Sequence, residues 1–274
     1  ISGFANSAIW LIVGAFLFSR GFIKTGLGKR IAYNLISAFG SSSLRLAYAL
    51  ALSDLILAPA TPSNTARVGG VIMPITTSLA KAFGSEPQDG PRKIGSFLMQ
   101  SIYQVNTITS AMFQTSMAGN TLVAALALQS FGIGITWGDW AMAAIVPGII
   151  ALIIMPYFIY KVYPPEIKDA REAQQMVREE LKGLGKMSFQ EWIMLGVFIL
   201  ALVLWATSQF TKLDATTVAF LGISILLATG VLIWDDVKSE KGAWDTLVWM
   251  GTLMGFAGFL SKLGFIKWAT LQVG

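Results

Sequence analysis

Apolar runs long enough to cross a bilayer recur along the chain, and the polar breaks between them mark its candidate functional positions. The first run covers about residues 7–23. LGKRIAYNLISAFG (27–40) follows with a mixed pattern that predicts an amphipathic helix in the membrane interface. Two apolar arms come next, about 44–58 and 68–83. Each is roughly 15 residues, short for a span of about 20. Residues 94–131 form a long apolar region interrupted by NTITS and AGN, and 141–160 is a clean span. KVYPPEIKDAREAQQMVREELKGLGK (161–186) is the one strongly charged segment. It predicts a solvated helix between two bundles, with Glu179 and Lys182 paired at i,i+3. Runs at 192–205, 217–234 and 244–259 complete the pattern.

The polar island ATPSNTARVGG (60–70) lies between the two short arms. Pro59 and Pro62 end a helix just before Ser63. Ser63, Asn64 and Thr65 then suit the N-cap and first turn of the second arm. In a bilayer such irregular backbone is tolerated only where it is buried in protein or lines a cavity. The helix start offers orphan N–H groups and a positive dipole end, which attract a carboxylate. The hydroxyl, amide and carbonyl oxygens nearby suit a small cation. Gly69 and Gly70 predict close helix packing. Arg67, two residues past the tip, costs several kcal/mol in a membrane unless paired or wet. Asp54 on the other arm is the partner within reach. The two readings of Arg67 are a structural bridge to Asp54 and a fixed charge for a bound dianion.

Composition places these runs in a membrane. The chain has 274 residues, of which 54% are hydrophobic and 13% charged, where soluble domains carry about 25% charged residues. Its mean hydropathy is +0.64. Cysteine and histidine are absent, which removes disulfides, Cys or His metal sites, and catalysis by either residue. No acidic pair shares one span, so the sequence predicts no catalytic residue, no resident metal and no enzyme. The net charge of +5 is scattered over short loops, with no basic run suited to nucleic acid. With the two arms read as a re-entrant hairpin, fifteen basic residues fall on one side: Lys24, Lys29, Arg30, Arg45, Lys81, Arg92, Lys93, Lys161, Lys168, Arg171, Arg178, Lys182, Lys186, Lys238 and Lys241. Lys212, Lys262 and Lys267 fall on the other. The basic-rich side is assigned to the cytoplasm.

An internal repeat is also present. FLFSRGFIKTGLGKRIA (16–32) aligns with MGFAGFLSKLGFIKWAT (254–270) at an offset of 238, matching Phe18 with Phe256, Lys24 with Lys262, Gly26 with Gly264 and Lys29 with Lys267. Trp10 and Trp249 match with one gap. The first copy ends on the cytoplasmic side and the second on the opposite side, as an inverted-topology repeat requires. The same offset carries Ser63 to position 301, past Gly274, so a second tip would fall outside this chain. The opening ISGFANS, without an initiating Met, and the close at KWATLQVG predict a segment of a longer protein.

The stretch APATPSNTARVGGVIMPI resembles the hairpin signature of the divalent anion:sodium symporter family. The flavour is that of 2-oxoglutarate/malate translocators and citrate/succinate or tartrate/succinate antiporters. SRGFIKTGLGKRIA, the GDW at 138–140, YPPE at 163–166 and WDD at 234–236 extend the likeness over essentially the whole chain. The resemblance implies an all-α polytopic membrane protein, an inverted-repeat secondary transporter with a re-entrant helical hairpin, here as a partial chain without the second hairpin. Its divisions are then 1–43, first span and interfacial helix on the scaffold side; 44–83, hairpin; 94–131, broken transport-domain helix; 138–161, transmembrane helix; 162–189, cytoplasmic amphipathic linker; and 190–274, the start of the second repeat. It implies substrate contacts at Ser63, Asn64, Thr65, Arg67, Thr109 and Ser110, and cation contacts at Ser63, Asn64 and Thr107. Thr107, Thr109 and Ser110 are spaced for a local unwinding, with Asn120 capping the next helical piece. The implied activity is elevator-type transport of di- or tricarboxylates such as 2-oxoglutarate, malate, succinate or citrate. Anion exchange is favoured; the alternatives are Na⁺-coupled symport, an inorganic-anion or metalloid carrier, and a non-transporting membrane scaffold. Na⁺ is the one cofactor candidate. The partners implied are the small anion, the lipid bilayer and a second copy in a homodimer of the full-length protein. The location is multi-pass membrane, either a bacterial inner membrane or a plastid inner envelope.

Overall fold

A computed structural model describes residues 2–273, and the described residues form helices joined by short turns, with one isolated β-bridge between Ser42 and Asp169. Helix α1 (Ser7–Thr25) starts at Asn6, whose side chain accepts from the Ala8 N–H, and is buried on almost all sides. It stops at Gly26, held at φ 75, a left-handed conformation that glycine adopts without a Cβ penalty. Helix α2 (Leu27–Phe39) leaves that turn and buries Leu27, Ala32, Tyr33 and Ile36 while its other face stays open, the amphipathic pattern read from the sequence.

The hairpin begins with α3 (Ser43–Leu57), extended by a 3-10 turn over Ala58–Ala60. It returns through α4 (Asn64–Arg67), a π-helical turn over Val68–Ile72 and α5 (Met73–Ala82). The expected short arms are therefore too short. The first arm, Ser43–Ala60, has 18 residues and is long and apolar enough to cross a membrane. Connectivity makes the segment a hairpin whatever the length of its arms. The Ser43 N–H donates to the Lys168 carbonyl where the hairpin starts. Where it ends, the Glu166 and Ile167 N–H groups donate to the carbonyls of Arg92 and Lys93. Both ends thus meet the same linker, at the same end of the bundle.

Helix α6 (Gly95–Met112) rises beside the hairpin, breaks over 113–117, and continues as α7 (Ala118–Phe131). Helix α8 (Trp137–Val162) returns, opened by a Thr136–Asp139 capping box and containing Pro147 and Pro156. Much of its surface is exposed and apolar, including Val146, Ile150, Ile153, Ile154 and Phe158, as a lipid-facing helix requires. Helix α9 (Arg171–Gly183) lies in the charged linker. It is not simply solvated, because Ala173, Gln174 and Val177 are buried and Gln174 Nε2 donates to the Ser37 carbonyl of α2 at 2.8 Å. Among the described residues Glu179 and Lys182 form no ion pair; Glu180 instead lies 3.9 Å from Lys29.

Helix α10 (Phe189–Ala206) begins with a Ser188–Glu191 capping box. Glu191 also accepts from Arg30 Nε at 2.5 Å, and Arg30 Nη1 donates to the Gly185 carbonyl, so α2 is fastened to the start of α10. The short α11 (Ser208–Thr211) and α12 (Ala215–Ala228) follow. The span expected to run to Trp234 ends at Ala228, because the chain turns through Gly230 at φ 73 before α13 (Trp234–Ser239). Helix α14 (Lys241–Lys262) then leads through Gly264, at φ 76, into α15 (Phe265–Val273).

Helices α1 and α14 lie antiparallel. Gly3 sits directly on Gly251 and Gly255, where any Cβ would collide with the Gly251 carbonyl, and Phe16 packs on Gly242 at the far end. Both halves of the aligned repeat therefore read helix, left-handed glycine, helix, and they run in opposite directions, the arrangement of an inverted repeat. The Lys267 side chain of that alignment lies outside the described residues. Many of the basic side chains assigned to one side, including Lys24, Arg30, Lys93 and Lys168, gather with these cross-links at one end, and Lys212 stands among the loops of the other.

Candidate functional site

The hairpin tip is built by helix ends that lack partners of their own. Ser63 is the N-cap of the returning arm, its hydroxyl accepting from the Ala66 N–H at 3.2 Å. Asn64 Oδ1 accepts from the Thr65 N–H at 2.9 Å. The first arm ends in carbonyls that the broken helix satisfies. Thr115 Oγ1 donates to the Pro59 carbonyl at 2.5 Å, and the Ala118 N–H donates to the Pro62 carbonyl at 2.9 Å. Tip and break are thus one hydrogen-bonded body, as buried backbone requires where no water reaches it.

Arg67 joins them. Its side chain is buried, and its donors meet six oxygens. Nε donates to Asp54 Oδ1 at 2.8 Å. Nη1 donates to the carbonyls of Thr61 at 3.1 Å and Ser116 at 3.2 Å. The two hydrogens of Nη2 are shared among Asn106 Oδ1 at 3.0 Å, Thr109 Oγ1 at 3.1 Å and Ser110 Oγ at 3.2 Å. The Thr109 hydroxyl in turn donates to Asp54 Oδ2. Asp54, Thr109 and Ser110 are all buried.

This geometry separates the expected site residues into two layers. Ser63 and Asn64 are half-buried and Thr65 is exposed, so a ligand can reach them at the tip. Arg67, Thr109 and Ser110 were expected to touch substrate. They lie beneath that surface, hydrogen-bonded to one another and to Asp54. Thr107, expected among the cation contacts, turns its exposed hydroxyl back to the Tyr103 carbonyl at 3.1 Å and shares no hydrogen bond with Ser63 or Asn64 among the described residues. The unwinding expected at Thr107–Ser110 falls instead at 113–117; α6 is continuous there, and the Thr107 and Ser110 hydroxyls bond back to the Tyr103 and Asn106 carbonyls. Asn120 caps the preceding helix rather than the following one: its Nδ2 donates to the carbonyls of Ser110 at 2.7 Å and Phe113 at 2.9 Å. Gly69 and Gly70 do not serve close packing. Both are exposed and sit in the π turn, and a Cβ at Gly69 would meet nothing within 4 Å.

Sequence reasoning missed Asn106, Thr115 and Trp137. Trp137 Nε1 donates to Thr115 Oγ1 at 2.9 Å, so α8, the break and the first arm are joined in one relay. The signal available was the polar run Gln114, Thr115, Ser116 inside an apolar region. No cluster of acidic side chains able to hold a metal ion occurs among the described residues.

The family model described as the sodium:sulfate symporter transmembrane region matches residues 1–273. The chain is 54% identical over 269 residues to "Putative malate transporter YflS" of Bacillus subtilis, covering 98% of this chain and 56% of that protein. It is 46% identical over 268 residues to "Inner membrane protein YbhI" of Escherichia coli, covering 98% of this chain and 56% of the relative. Against "Dicarboxylate transporter 1, chloroplastic" of Spinacia oleracea the identity is 47% over 273 residues, 99% of this chain and 48% of the relative. The chain spans about half the length of the curated relatives it matches.

Proposed function

The chain belongs to the sodium:sulfate symporter transmembrane-region family, and from that premise we propose that it forms part of a secondary carrier that exchanges di- or tricarboxylate anions across a membrane. The relatives named as malate and dicarboxylate transporters support the substrate class. The substrate carboxylate docks on Ser63, Asn64 and Thr65 at the start of the returning arm, where helix polarity and hydroxyl and amide donors converge. The hairpin and the α6–α7 pair form the moving unit. Helices α1 and α2 belong to the scaffold, a second copy completes a homodimer, and the unit moves by an elevator stroke.

The observation that carries exchange over sodium symport is the oxygen set around Arg67. Two backbone carbonyls, two hydroxyls, an amide oxygen and a carboxylate oxygen are the ligands a small hard cation takes. The guanidinium fills that set, and so supplies the positive charge that a co-transported Na⁺ would bring to the same oxygens. The full-length protein reconstituted in liposomes tests this. Labelled malate uptake should need a dicarboxylate inside the vesicle and be indifferent to replacing Na⁺ by K⁺. Strict Na⁺ dependence, unaltered in Arg67→Gln, overturns it.

Na⁺-coupled symport is the second reading, favoured by the family's sodium-dependent members and by the accessible oxygens of Ser63 and Asn64. The sodium in that second reading rests on the family's description alone. A non-transporting scaffold gives no thermal stabilisation by malate or 2-oxoglutarate, and a metalloid carrier shows no competition by them.

A further inference from the structure

At the end of the bundle away from the basic cluster, a cleft of about 1080 Å³ opens between the start of α1, α7, the start of α8 and the α11–α12 turn. It lies apart from the tip, and three side chains give it a chemical bias. The Ser208 hydroxyl is buried in its wall without a hydrogen-bond partner. A buried hydroxyl left unpaired is destabilising unless something fills the place of its partner. The Gln114 side chain, 7% exposed, likewise makes no hydrogen bond among the described residues. Lys212 lines the mouth at φ 56, the one non-glycine residue with positive φ among the described residues. A left-handed lysine is strained where glycine would not be. Its N–H donates to the Ser208 carbonyl at 2.9 Å, so the two residues are set by one turn. Lys212 enters no ion pair among the described residues. Asp214, which also lines the cleft, is the N-cap of α12 and accepts from the Thr216 N–H at 2.8 Å, so its charge is set against the positive end of that helix.

An ammonium, an unpaired hydroxyl and an amide lining one cleft offer donors to an acceptor-rich anion. The inner wall is Trp137, stacked between Phe113 at 5.5 Å and Trp205 at 6.0 Å. Behind it runs the Thr115 hydrogen bond to the Pro59 carbonyl at the end of the first arm. Trp137 and Thr115 therefore stand between the cleft and the hairpin.

We infer that this cleft is a second, weak anion site, a vestibule where the carboxylate substrate is held by Lys212 and Ser208 before it reaches the tip. The inference rests on the dicarboxylate-carrier reading above. The volume exceeds what a four- or five-carbon dicarboxylate fills, so the site captures loosely and stays wet.

The test is malate uptake by the full-length protein in liposomes, with the KM measured separately for substrate supplied from the Lys212 side and from the opposite side. Lys212→Gln should raise the KM on the Lys212 side roughly threefold or more while leaving the maximal rate and the opposite-side KM in place. Lys212→Arg should restore it. Ser208→Ala, which removes an unpartnered hydroxyl and so spares the fold, should raise the same KM by a smaller factor. A wild-type protein that transports malate while both variants leave that KM unmoved overturns the vestibule alone. A wild-type protein that carries no dicarboxylate overturns the reading beneath it, and the vestibule with it.

Discussion

Arg67 Nε donates to Asp54 Oδ1 at 2.8 Å, joining the two arms of the hairpin just below its tip, and both residues are only 2% exposed. An isolated buried ion pair loses about 3–5 kcal/mol when one partner is removed, and much of that returns when both become apolar. Arg67 differs because it also serves two carbonyls, two hydroxyls and an amide. Asp54→Asn should therefore destabilise by about 3 kcal/mol, and Arg67→Met by more, since it strands the Thr61 and Ser116 carbonyls. The double variant should melt with Arg67→Met alone, without rescue. Thermal melts of the detergent-solubilised protein decide it; recovery in the double variant would reduce Arg67 to a simple counter-ion.

Gly26 and Gly264 sit at φ 75 and φ 76, and neither would bring a Cβ within 4 Å of a neighbour. The cost of alanine at each is then backbone strain alone, about 1 kcal/mol, and should be equal at the two sites. If either helix break were set by packing instead, the two losses in melting temperature would differ.

The helical pattern and the polar island at 60–70 were legible because both rest on local rules: apolar period, proline stops and N-cap chemistry. The Arg67 partner on the other arm was legible too, since a buried arginine needs a carboxylate and Asp54 was the one within reach. The layering at the tip was not. Whether Thr109 faces a ligand or Arg67 depends on how α6 rotates against the hairpin, and no residue near Thr109 records that angle. The arm lengths were misjudged because the 3-10 turn at Ala58–Ala60 and the π turn at Val68–Ile72 continue helices that proline and paired glycines ordinarily end. The repeat was traceable through four identities and its inversion through the charge topology, and the pair of contacts Gly3–Gly251 and Phe16–Gly242 shows the two helices antiparallel.

At the basic end, Asp236 caps α13 by accepting from the Ile233 N–H at 2.9 Å, and it pairs with Lys24 at 2.5 Å. Burial pushes its carboxyl up. The Lys24 hydrogen bond, the Ile233 N–H and the charges of Lys24 and Arg20 outweigh that and hold it below the usual carboxylate range. A carboxyl with a folded pKa below its unfolded value of about 3.9 stabilises the fold fully above that value and loses the effect as pH falls through the folded one. The gap in melting temperature between wild type and Asp236→Asn should be constant from neutral pH to about 5 and close under stronger acid. A gap that persists there would mean that the carboxylate charge is not its source, since asparagine keeps an acceptor for the Ile233 N–H.

Asn120, 6% exposed, donates to the Ser110 and Phe113 carbonyls, which close the end of α6 at the break. The Ser116 hydroxyl points to the same two carbonyls at 2.6 and 2.7 Å but has one hydrogen to give. Asn120→Ala should therefore strand one carbonyl and cost about 1–3 kcal/mol. Asn120→Asp separates hydrogen bonding from packing, because its size is unchanged. Ionised, it sets a buried carboxylate against two carbonyl oxygens with no donor, so at pH 8 it should be less stable than alanine. Protonated, it regains one O–H donor, so at pH 5 it should be the more stable of the two. Melting temperatures of the two variants at those pH values should cross. Parallel curves would mean that the break at 113–117 is held by the Ala118 and Thr115 bonds to the hairpin, and that Asn120 only fills space beside it.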